Sequence, residues 1–212
     1  MDGESAAARL DLIGGTLCLD FTNTVGARAD VAPHDHLADY GDLVAWSRHA
    51  GALTTDEATA LLAVGAQRPV AAAAVLAQAG ALREALYHVF AVAAAGEAPG
   101  APDLEVLNGA LAAALPWLRV VPAGDGFAWA WDPAPALDRM LWPIAWPAAR
   151  LLTEGDLARV RECAGDTCGW LFLDLSRNHS RRWCAMDDCG NRAKARRHYQ
   201  RRRAGAPAGG EG

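Results

Sequence analysis

Apolar residues recur along most of this chain at intervals of three and four, the period of a helix that buries one side. Leu37, Tyr40, Leu43, Val44 and Trp46 follow that spacing and Gly51 closes the run, which predicts a first helix. A threonine cap in TTDEATALLAVGAQ opens a second, and Pro69 starts a long third that Gly96 ends. DLEVLNGALAAAL, with Asp103 at its start, predicts a fourth. Two stretches break the period. Leu17, Leu19 and Phe21 alternate with Cys18 and Asp20 after two glycines, which predicts a short strand. In WLRVVPAGDGFAWAW two apolar runs flank a Pro-Ala-Gly-Asp-Gly turn, with Phe127, Trp129 and Trp131 alternating, which predicts a β-hairpin. PALDRMLWPIAWPAARLLTEGDLARVREC is expected to be helical in pieces, interrupted at Pro143 and Pro147, the last piece running into Cys163.

The predicted fold class is α+β: a mostly helical N-terminal domain over 1–158 with a short strand and a β-hairpin, then a compact module over 159–203. The terminal AGAPAGGEG, 204–212, has nothing to bury and reads as a disordered tail. At 212 residues and 52% hydrophobic composition the chain can hold one substantial core and one appendage. No window approaches the ~18–20 uninterrupted apolar residues of a membrane span, so no membrane partner is expected. The opening MDGESAAARLDLIGG carries acids where a secretory signal carries positive charge, and the expected location is the cytoplasm.

Charge changes this picture. Residues 1–158 carry a net −11 and residues 159–203 a net +7, within a total of −5. Such asymmetry suggests a basic module for a polyanion attached to an acidic body.

Four of the five cysteines, Cys163, Cys168, Cys184 and Cys189, form a C-x4-C-x15-C-x4-C pattern. Paired cysteines at repeated short spacing in a reducing compartment point to a metal rather than to disulfides. Four sulfurs make a closed tetrahedral site for one structural Zn²⁺. Between the pairs, Trp170 to Leu175 alternate, Ser176 to His179 form a polar turn, and SRRW returns, which predicts a hairpin between two knuckles. Gly190 then turns the chain and Asn191 caps a helix begun by Arg192, giving a treble-clef-like zinc finger with four cysteine ligands.

In that helix, RAKARRHYQRRR, Ala195 and Tyr199 are expected to rest on the finger. Arg192, Arg196 and Arg203 share one side and Lys194, Arg197 and Arg201 another. Like charges at these spacings oppose helix formation, so a partner explains them better than folding does. Nucleic acid, foremost double-stranded DNA, fits, with Arg177, Arg181 and Arg182 extending the patch. RNA contacted by the same patch stays open, as does a protein-interaction finger whose arginines serve solubility.

CAGDTCGWLFLDLSRNHSRRWCAMDDCGNRAKARRHYQRR resembles the CGNR zinc finger, from the run Cys189-Gly190-Asn191-Arg192. GTLCLDFTNTV with ALREAL is similar to the ABATE domain that accompanies this finger in a group of stress-induced transcription regulators. The resemblance covers nearly the whole chain and implies zinc on the four cysteines and DNA binding in bacterial transcription. The acidic domain would then sense a small molecule or hold a homodimer; Asn23, Thr24, Arg28 and Arg83 are the polar residues placed to line a ligand pocket. No serine elbow, phosphate loop or zincin helix appears, so catalysis is not expected.

Overall fold

The computed structural model describes residues 5–134 and 136–204; the tail expected over 204–212 therefore lies almost entirely outside the described residues. After a 3-10 turn at Ala6–Arg9, the first regular element corrects the expected strand: Leu17–Thr22 is a helix, α1. Its N–H groups at Leu19 and Asp20 bond the Thr16 carbonyl, and Cys18, Leu19, Phe21 and Thr22 are buried. That set is spaced one, three and four apart, so the alternation of Leu17, Leu19 and Phe21 was only half of a pattern in which Cys18 is also apolar. The extended pairing comes just later, where β1 (Val25–Gly26) meets β2 (His34–Asp35) antiparallel.

The remaining helices follow their local signals closely. Asp39 caps α2 (Tyr40–His49) by accepting from the Asp42 N–H, and Gly51 closes the turn beyond it at φ +75. α3 (Thr55–Gln67) opens on a complete capping box between Thr54 and Glu57. Pro69, harmless in a first turn, starts α4 (Pro69–Ala94), bent 120° from α3. α5 spans Ala101–Ala114, starting two residues before Asp103. The expected hairpin is β3 (Leu118–Ala123) and β4 (Gly126–Trp131), in register Leu118↔Trp131 through Ala123↔Gly126.

Two expectations fail further on. α6 (Trp142–Glu154) runs through Pro147 unbroken: Pro143 lies in the first turn, where its missing N–H is no loss, so only one backbone bond is forfeited at Pro147. The helix expected to reach Cys163 instead stops before Gly155, and after a 3-10 turn the chain extends as β5 (Val160–Glu162). β5 pairs antiparallel with β6 (Leu171–Leu173). This replaces the expected hairpin: Leu171–Leu173 pairs with the strand before the first knuckle, not with Ser180–Trp183.

Leu19, Phe21, Trp46, Leu82, Leu86, Phe90, Met140 and Ile144 form the main core, and Val160 and Leu171 belong to it. Phe172, the next residue along β6, points the other way and packs with the four cysteines. Because successive strand residues face opposite sides, this short strand joins the finger to the body. No single described helix is long and apolar enough to cross a membrane; α3 and α4 reach that composition only as a bent pair.

Candidate metal centre and basic helix

The local chain directions around the knuckles converge four sulfurs. Cys163 follows β5, Cys168 follows the Asp166–Thr167 turn, Cys184 follows the Arg181–Trp183 return, and Cys189 sits in a single π turn, Met186–Gly190. All four are buried and their sulfurs lie within 4.8 Å of one another. Cys184 Sγ is 3.6 Å from both Cys168 Sγ and Cys189 Sγ. A tetrahedral zinc with bonds of ~2.3 Å needs sulfur separations of ~3.8 Å, so the donor set fits that ion. The sulfurs also receive hydrogen bonds: the Cys184 N–H to Cys163 Sγ at 3.3 Å and the Arg192 guanidinium to Cys189 Sγ at 3.2 Å.

The crowding has an electrostatic signature. Hydrogen bonds from Cys168 and Cys184 pull the Cys163 thiol down to about 2, and the proximity of Cys163 pushes Cys168 up to about 12 and raises Cys184 as well. The Cys163 thiolate is tolerated at the expense of Cys168 and Cys184, and a divalent cation bound there would favour the thiolate that metal binding requires. Gly165 closes the cradle. A Cβ there would meet Cys168 Cβ at 3.2 Å, Cys189 Sγ at 3.3 Å and Cys163 Sγ at 3.5 Å.

The body grips the first knuckle. Asn23 Nδ2 donates to the Leu171 carbonyl (2.8 Å) and its Oδ1 accepts from the Leu171 N–H (2.9 Å), imitating a strand pair with one side chain. Trp170 Nε1 donates to the Val25 carbonyl at 2.8 Å, and the Arg28 and Ala29 N–H groups reach the Cys168 and Thr167 carbonyls at 3.0 and 3.3 Å. Gly169, at φ +66, lets the chain pass Arg28, whose Cβ would lie 2.9 Å from a side chain there. The Arg28 guanidinium lies 4.1 Å above the Tyr87 ring, bonds the Thr22 carbonyl and pairs with Glu84 at 2.7 Å. Arg83 pairs with Asp35 at 2.6 Å and donates to Thr24 Oγ1 at 3.2 Å. Burial alone would raise Asp35, but its hydrogen bonds from Arg83 hold it below the usual carboxylate range. The polar atoms proposed for a ligand, on Asn23, Thr24, Arg28 and Arg83, are thus engaged by protein groups.

Beyond Cys189 comes α7 (Asn191–Ala204). Asn191 is its first helical residue rather than its cap, and its side-chain amide donates back to the Asp187 carbonyl at 3.0 Å. Ala193 is the buried residue of this helix among those described, whereas Ala195 is exposed and Tyr199 is 62% exposed. The two expected stripes differ in their surroundings. Arg192 pairs with Asp188 at 2.9 Å and Arg196 pairs with Asp166, so both hold the helix to the knuckles. Arg181 lies 4.3 Å over Phe172 and donates to the Trp183 and Cys184 carbonyls, bracing the second knuckle. Lys194, Arg197, His198 and Arg201, spaced at three and four, line a groove on the other side. Arg197 and Arg182 both stand over the Trp183 ring, 5.9 and 5.4 Å from its centre, which continues that face toward the loop of the exposed Arg177. Gly165, His198 and the roles of Asp166 and Trp183 were not foreseen; Trp183, one residue before a ligand and within a basic run, was the one available signal.

Fold and site together define a mostly helical protein that ends in a four-cysteine zinc finger. Residues 15–155 match the ABATE family, described as "Putative stress-induced transcription regulator", and residues 159–202 match the CGNR zinc finger. The chain belongs to the ABATE family. No curated protein was found that matches it.

Proposed function

We propose that the chain is a zinc-dependent transcription regulator that binds duplex DNA through the outer face of α7 and the adjoining loop. The observation that carries this reading is the stripe of Lys194, Arg197, His198 and Arg201 on a helix anchored to the metal centre. None of Arg177, Lys194 and Arg201 enters an ion pair among the described residues. Folding leaves them free for phosphates, whereas Arg181, Arg192 and Arg196 serve the finger. A site closed by four sulfurs gives zinc no open position for water, which favours a structural ion and binding over catalysis.

Arg177, Arg182, Lys194, Arg197 and Arg201 supply about five phosphate contacts, for which the slope of log affinity against log salt is about −4.5. Mobility shifts over a salt series check this. Lys194→Ala, Arg197→Ala and Arg201→Ala should each reduce the slope by about one, with zinc content unchanged. A flat salt response, or tighter binding to structured RNA than to duplex at equal salt, would contradict the reading.

A further inference from the structure

The hairpin β3–β4 has two edges of unlike chemistry. The bond from the Asp132 N–H to the Trp117 carbonyl (2.8 Å), one step below Leu118↔Trp131, sets the ladder's parity. Odd residues of β3 exchange bonds with even residues of β4, and the others face outward. On β3 the outward edge is interrupted at both ends. Pro122 has no N–H to offer, and the Leu118 carbonyl already accepts from the Arg119 guanidinium at 3.0 Å. On β4 the outward groups belong to Phe127, Trp129 and Trp131, in a strand reading Gly-Phe-Ala-Trp-Ala-Trp without charge or proline. No other described strand pairs with it. Phe127 is 78% exposed and Trp129 57%.

We propose that this edge joins two copies of the chain: β4 pairs antiparallel with β4 of a second copy about a two-fold axis near Ala128, forming a four-stranded sheet. That register sets Phe127 opposite Trp129 of the partner subunit, twice, so the edge is its own complement. The two-fold closes the assembly, which an exposed strand otherwise leaves open to fibre growth. At roughly 150–250 Å² per aromatic side chain, the exposed parts of the two rings amount to on the order of 250 Å² per protomer. With the paired backbones, the total approaches about 1,000 Å², the lower limit of a specific interface. The dimer is accordingly weak, with a dissociation constant on the order of micromolar.

Sedimentation equilibrium of the full-length zinc-loaded protein from about 1 to 100 μM brackets such a constant. The expected result is a reversible monomer–dimer equilibrium. Phe127→Pro deletes an outward N–H and a ring while leaving the bonds to β3 in place, and should weaken association at least about tenfold. Trp129→Arg tests the same edge without touching the backbone, and unchanged zinc content and melting temperature show that each variant is folded. Monomers at every concentration would overturn the proposal and leave the edge to a different chain; a dimer unaffected by both variants would overturn it equally.

Discussion

Asn23 joins finger and body through two hydrogen bonds buried among apolar side chains. Asn23→Ala would leave both Leu171 backbone groups without partners, at a cost of about 2 kcal/mol; the melting temperature is expected to fall by about 4–8 °C. Gly165→Ala presses a methyl group on three of the four ligand residues. Zinc affinity, measured by competition with a chromophoric chelator, should drop about tenfold or more, as for other disturbances next to ligands. Asp20 makes a pH-dependent contribution of opposite sign to most carboxylates. Burial raises it from 3.8 to about 6, despite the hydrogen bond it accepts from the Gly14 N–H. Between those two values the folded state holds more protons than the unfolded one, so this group lowers stability as pH rises from about 4 to 6. Asp20→Asn should therefore raise the melting temperature at pH 7 and gain little at pH 4; equal gains at both would show that charge is not the cause.

Among the elements, those with a local stop or start signal were legible. Thr54 with Glu57, Pro69, Gly51, Gly96 and the turn between β3 and β4 each decide their element within a few residues, and the structure agrees. Elements decided by distant contacts were not. α1 is six residues long, too short for its period to show. β5 carries the helix-like LARVREC, but its backbone is claimed by Leu171–Leu173, across the first knuckle. The metal ligands were readable because cysteine spacing is a local property; which arginines stay free was not, because Asp166 lies thirty residues from Arg196. Arg196→Ala should therefore lower the stability of the finger while leaving the salt slope of duplex binding near the parent's, and Arg197→Ala should do the reverse. Chemical denaturation and salt-titrated mobility shifts separate the two.

At the scale of the whole molecule, the ABATE body and the CGNR finger share β6. Leu171 fills the main core, Phe172 the metal-side cluster, and the Arg28 N–H bonds the knuckle itself. A structural zinc contributes on the order of 10–16 kcal/mol to a small module, and here its loss should reach past the module into the body. Chelation is expected to lower the melting temperature of the entire chain, not of a separate C-terminal transition. The uneven charge, −11 before the finger and +7 within it, follows the same division between body and finger, and the metal centre anchors the helix that carries most of the positive side. The most direct test is to strip the metal, add zinc back stepwise and measure duplex affinity at each step. One equivalent per chain should restore full binding together with its salt dependence; metal-free protein that binds as tightly as the restored sample would contradict the account.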